Sequence, residues 1–358
     1  MAQVDLSNTG RIAGDRTSLA GFVRLTLTLA LIASFLISLA WGAAADTRVI
    51  AALLAGIGIG EASVRDITII WDIRMPRTAT AALVGAALAV SGAVMQGLFR
   101  NPLADPGLIG VSAGAGFGAV AAIVLGGALP LAIQAAAGFY LVPFAAFIGG
   151  WVSTIVLYKV ATRGGRTSVA TMLLAGIALG ALTGALTGII VYYATDDQLR
   201  DLTFWGLGSV AGATWPKFWT AAPLIVAALV VAPFLARALN ALALGESAAA
   251  HLGIDVQRMK RIAILTVAGS VGASVAVTGG IGFIGIVVPH LLRLLQGPDH
   301  RGLLMNSALL GAVMLLFADC IARTVIAPAE MPIGIITAVL GGPFFLWILL
   351  RNRSVVDL

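Results

Sequence analysis

Apolar positions in this chain gather into long unbroken runs that return from one end of the sequence to the other. The stretch TATAALVGAALAVSGAVMQGLF at 78 to 99 has no charged position on any face. A helix that is apolar all round is buried in a core or in a membrane. Reading the runs between charged or Pro/Gly-rich breaks gives about ten of them: 22 to 44, 77 to 99, 107 to 127, 138 to 160, 168 to 194, 217 to 238, 260 to 278, 281 to 296, 302 to 325 and 331 to 351. Helices of roughly 17 to 25 residues cross a ~30 Å hydrocarbon core. The pattern predicts an all-α polytopic membrane protein with about ten transmembrane helices.

Three interruptions are more than turns. Residues 46 to 72 contain VIAALLAGIGIG, which predicts a short surface helix, and TDDQLRDLTFWGLGSVAGATW at 195 to 215 predicts a surface helix with a linker. NALALGESAAAHLGIDVQR at 240 to 258 reads as two short helices broken at Gly253. The similarity of VGAALAVSGAVMQG at 84 to 97 to AGSVGASVAVTGGIG at 268 to 282 suits either an inverted repeat or the chance likeness of two Ala/Gly-rich helices.

Composition agrees with the membrane reading. The chain is 59% hydrophobic and 11% charged, with 43 glycines of the kind that let membrane helices pack closely. A net charge of +6 raises nucleic acid as a partner, but nineteen of the 22 basic residues are arginines scattered between apolar runs. They act better as orienting charges. With alternating spans, fifteen lysines and arginines fall on the side of the termini and seven on the other. This predicts cytoplasmic termini: an arm over 1–21, one transmembrane domain over 22–351 with an inner segment at 240–258, and a tail over 352–358. Arg11, Arg16 and Arg24 ahead of the first run, with GAAAD at 42 to 46, also fit a cleaved signal peptide; the run is long for that, and an uncleaved first span is expected. The single cysteine, Cys320, excludes an internal disulfide or a cysteine metal cluster.

Chemistry is limited by what is missing. None of the three lysines, Lys159, Lys217 and Lys260, completes a GxxxxGK[ST] phosphate loop, so nucleotide energy would have to come from a partner. No GxSxG or HExxH motif occurs, no metal site is expected, and His251 and His290 read best as hydrogen-bonded structural groups. Proton relays keep carboxylates at mid-depth. Here Asp319 alone sits within an apolar run, and Arg323 four residues later can neutralise it or can serve a partner. Arg74 and Arg77 in RMPR lie on the predicted outer side, where they either anchor a helix end or bind something anionic. GESAAAHLG forms a small amphipathic knob with no membrane to enter, either a connector or a fit for a partner's groove.

The string RMPRTATAALVGAALAVSGAVMQGLFRNPLADPGLIGVSAGAG resembles the signature of the FecCD family, permease subunits of type II ABC importers for iron siderophores, haem and cobalamin. GESAAAHLG, GGIGFIGIVVPHLLRLLQGPDHR and ADCIARTVIAPAEMPIGIITAVLGGPFFLWILL extend the resemblance over about 70 to 351. It implies the type II ABC importer permease fold in a bacterial inner membrane, a homodimer with two cytoplasmic ATPase subunits, and a periplasmic binding protein. It implies binding-protein docking by Arg74, Arg77 and Arg323, and ATPase coupling through Gly245, Glu246, Leu252 and Gly253. NPLADPG corresponds to the cytoplasmic constriction, with Asn101 and Leu103 and, opening the fifth span, Thr167 and Ser168 as gate candidates; a plain turn is the other reading. DDQLRDLTFW is most similar to the haem-transporting subset, with Tyr192, Tyr193, Phe204 and Trp205 at an entrance or in an interfacial belt. No permanently bound cofactor is implied: haem or another iron chelate is the cargo, and ATP binds only to partners. The alternatives are a ferric-siderophore or cobalamin importer, an ion-coupled secondary transporter and, least favoured, a passive channel.

Overall fold

The computed structural model describes residues 16–42 and 46–351. Arg11, Arg353, most of the 1–21 arm, the 352–358 tail and residues 43–45 of the signal-like GAAAD lie outside them. The first run folds as α1 (Thr17–Ala40), and the 46 to 72 interruption supplies α2 (Val49–Gly56) and α3 (Val64–Ile67). A π-helical segment, Thr68–Arg74, then leads without a break into α4 (Met75–Leu98): the Met75 N–H still donates to the Ile70 carbonyl, and Pro76, which has no N–H to place, sits at the junction. After a 3₁₀ turn at Pro106–Ile109 come α5 (Val111–Leu125), α6 (Leu131–Ala137) and α7 (Leu141–Ala161), then a two-residue hairpin, β1 (Thr162–Arg163) with β2 (Arg166–Thr167).

The second half opens with α8 (Val169–Tyr192) and α9 (Asp196–Leu207), the latter fixed at its start by a Thr195/Gln198 capping box. α10 (Trp215–Val231) tightens into a 3₁₀ turn at Pro233 and continues as α11 (Ala236–Ala243). The chain ends with α12 (Glu246–His251), α13 (Val256–Thr278), α14 (Ile284–Gln296), α15 (His300–Ala322) and α16 (Ile333–Arg351).

A helix stands at each predicted run. Among the described residues eight helices are long and apolar enough to span, while Ile284–Gln296 and Ile333–Ile348 are shorter. A 13-residue helix rises only ~20 Å. Hydropathy marks where a segment is apolar and says nothing of the depth at which it starts: α14 begins with Gly285 against Gly92, inside α4 rather than at its end.

α4 is the axis of the bundle, buried along nearly its whole length and packed against α15, α14, α13 and α10. Glycine makes this possible. A Cβ at Gly85 would overlap the Gly311 carbonyl, and one at Gly92 the Gly285 carbonyl, so α15 and α14 reach α4 backbone to backbone. α5 and α7 meet in the same way at Gly114 and Gly149. α8 packs on α5, α7 and the Pro106–Ile109 turn and leaves Leu174, Ile177, Leu182 and Ile189 exposed.

Candidate functional site

At one end of the bundle the structure gathers Arg74, Arg77 and Arg323 around the C-terminus of α1 and the C-terminus of α15. All three are buried, at 5%, 7% and 7% exposure. Arg74 Nη1 donates to the carbonyls of Leu39 (2.7 Å) and Ala40 (3.1 Å), and Arg323 Nη1 to those of Ser38 (3.2 Å) and Trp41 (3.1 Å). The last carbonyls of a helix lack partners of their own and carry partial negative charge, so cations settle there.

Asp319, fully buried, ties this group together. Its Oδ1 lies 2.9 Å from Arg77 Nη2 and its Oδ2 3.1 Å from Arg323 Nε. The pairing with Arg323 is the one the four-residue spacing predicts, whereas Arg77 is a second partner reached across the bundle. Arg77 Nη1 also grips both oxygens of Glu330, at 2.8 and 2.9 Å, and Glu330 is 39% exposed. Three guanidiniums against two carboxylates leave the cluster with one formal positive charge. Neither Glu330 nor the α1 carbonyls stood out in the sequence. Glu330 lies in a loop, and the α1 contacts join residues more than thirty positions apart. Nearby at the surface, hydrogen bonds from Arg65 (2.9 and 3.1 Å) hold the Asp46 carboxyl below its ordinary value.

The second group surrounds α12. Gly245 at φ +108° and Gly253 at φ +79° bracket it, so the predicted single break at Gly253 becomes two. Gly245 takes up a conformation open essentially to glycine alone, at ψ 156°. Leu244 and Leu252 project into solvent at 72% and 57% exposure, and Glu246 opens the helix, where a carboxylate suits the dipole.

Of the constriction candidates, Asn101 is exposed and Leu103 half-buried, and the Asn101 side-chain oxygen accepts from the Leu103 N–H at 2.9 Å, an Asx turn. Thr167 is buried at the foot of α8, and the Ser168 hydroxyl caps that helix by accepting from the Thr171 N–H at 3.2 Å. The aromatic candidates sit at the other end of α8. Tyr192 and Tyr193, 83% and 76% exposed, form an edge-to-face pair, Phe204 is exposed on α9, and Trp205 packs partly into the core.

Residues 29–351 match the FecCD transport family. The chain is 47% identical over 286 residues to the hemin transport system permease protein HmuU of Yersinia pestis, covering 80% of this chain and 84% of the relative. It is 45% identical over 292 residues to the vitamin B12 import system permease protein BtuC of Citrobacter koseri, covering 81% and 85%. A solved inward-facing conformation of a metal-chelate type ABC transporter superposes with a TM-score of 0.80 at 31% identity, over 92% of this chain and 99% of that one. With helices in the order the sequence predicts and one family match running from α1 through α16, the chain belongs to the FecCD transport family.

Proposed function

We propose that the chain is the membrane-spanning permease subunit of an ATP-binding-cassette importer in a bacterial inner membrane and that its cargo is haem. The observation that carries this reading is the 47% identity to a hemin permease across the transmembrane bundle. Cobalamin is the second reading, supported by relatives at 45%, with ferric siderophores third. The importer works as a homodimer with two ATPase subunits and a periplasmic binding protein. The support for a second copy lies on α8, where Gly180, Gly184 and Gly188 recur every fourth residue with nothing packed against them.

The termini and α12 lie in the cytoplasm, and the arginine cluster faces the periplasm. A binding protein offering carboxylates docks on Arg74, Arg77 and Arg323, whose planar forks hold their charge at every physiological pH. Since Arg77 is already committed to Glu330, an incoming carboxylate takes Glu330's place on Nη1. Exchange of one ion pair for another costs little and suits a partner that must leave again. On the opposite face Gly245, Glu246, Leu252 and Gly253 enter the ATPase groove, while Asn101, Leu103, Thr167 and Ser168 close the cytoplasmic exit. Tyr192, Tyr193, Phe204 and Trp205 offer aromatic surface to a flat macrocycle at the entrance. ATP drives transport only by binding one facing of the dimer better than the other.

Co-expression with an ATPase and a binding protein from the same system tests the assembly. Co-purification, with ATP hydrolysis raised by haem-loaded binding protein and not by the cobalamin-loaded form, is the expected result. Stimulation by cobalamin alone would move the cargo to the second reading, and failure of the ATPase to co-purify would remove the assembly.

A further inference from the structure

Lys260 is only 1% exposed, a large charged side chain buried as deeply as the leucines of the core. An ammonium taken out of water persists only if it is paired and hydrogen-bonded. Its Nζ donates to Glu246 Oε1 at 2.6 Å and to the Thr167 carbonyl at 2.8 Å. Three residues earlier on the same helix face, Gln257 Oε1 accepts from the Thr167 N–H at 2.8 Å. The first two turns of α13 therefore hold both backbone groups of Thr167, and the same lysine holds the first residue of α12. A methionine would fill this volume without desolvating a charge, so packing alone does not call for lysine here.

We propose that Lys260 is a positioning residue that joins α12 to the Thr167–Ser168 turn, so that displacement of one is delivered to the other. The inference rests on the reading of α12 as the ATPase contact and of Thr167 and Ser168 as the gate. The Glu246 bond is short and charge-assisted, the strong class of hydrogen bond. Ser168 caps α8 directly, so the turn carries the whole helix with it. Glu246 is half-exposed at the surface and Thr167 is buried; the lysine spans the two.

The test uses the complete transporter in proteoliposomes, comparing wild type with Lys260→Met for haem moved per ATP hydrolysed. The inference expects ATPase subunits bound and hydrolysing as in wild type, with haem per ATP lowered about tenfold, a typical coupling between sites. Unchanged haem per ATP in Lys260→Met overturns it. If that variant fails to assemble, spin labels at Ser247 and Arg166 of the otherwise native transporter decide. One separation kept through nucleotide-free and ATP-bound states, while each label moves relative to α4, supports the link. Independent movement of the two labels contradicts it. A wild type that binds no ATPase or moves no haem defeats the underlying reading instead, and does so before any variant is made.

Discussion

Asp319 decides the state of the arginine cluster at the level of single residues. It is fully buried, and it stands between Arg77 and Arg323. Replacing it with asparagine leaves Arg323 without a carboxylate and Arg77 with Glu330 alone, and removing one partner of a buried pair costs about 3–5 kcal/mol. Asp319→Asn should therefore melt well below wild type in thermal unfolding of the detergent-solubilised protein; an unchanged midpoint would mean the carboxylate is dispensable. Glu330 is different because it is partly exposed and occupies only one arm of Arg77. Glu330→Gln should raise binding-protein affinity, most clearly at low salt, whereas weaker docking would show that Glu330 itself contacts the partner. Half of this cluster was legible in the sequence. The Asp319–Arg323 pair follows from helical spacing, and Arg74 and Arg77 are marked by their place at the lip of an apolar run. The link from Arg77 to Asp319 was not, since it joins positions 242 apart and depends on how closely α4 and α15 approach.

Among the elements, that approach is set by glycine. Gly85 and Gly311 let α4 and α15 touch along their backbones, which brings the N-terminal Arg77 of one helix to the C-terminal Asp319 of the other. Apolar runs gave the position of each helix to within a few residues. They could not give depth: the run at 281 to 296 holds a helix that starts beside the interior of α4. α12 depends on backbone conformation more than on packing. Gly245 sits where any side chain is strained, so Gly245→Ala should cost about 1–3 kcal/mol of local stability. Faster hydrogen exchange over Glu246–His251, with the rest of the bundle unaltered, is the expected sign, and unchanged exchange would show that the strain is absorbed elsewhere. The inner segment was legible as a knob because it is amphipathic and lacks a membrane to enter. Its tether through Lys260 was not, because a lysine beside two arginines in sequence reads as a solvated charge.

For the whole molecule, the asymmetry is one of partners. One end concentrates buried positive charge, the other presents α12 with its two exposed leucines, and α8 offers a bare face between them. A cysteine at Gly184 in a Cys320→Ser background should cross-link two copies in native membranes; monomers alone would direct that face of α8 to lipid. We propose that the permease is moved by ATPase subunits and by no ion gradient. Haem uptake into proteoliposomes containing the permease, its ATPase subunits and the binding protein tests it most directly. Uptake should require all three proteins and ATP on the ATPase side, and should persist when ion gradients are collapsed. Uptake by the permease alone, driven by a proton or sodium gradient, would contradict it.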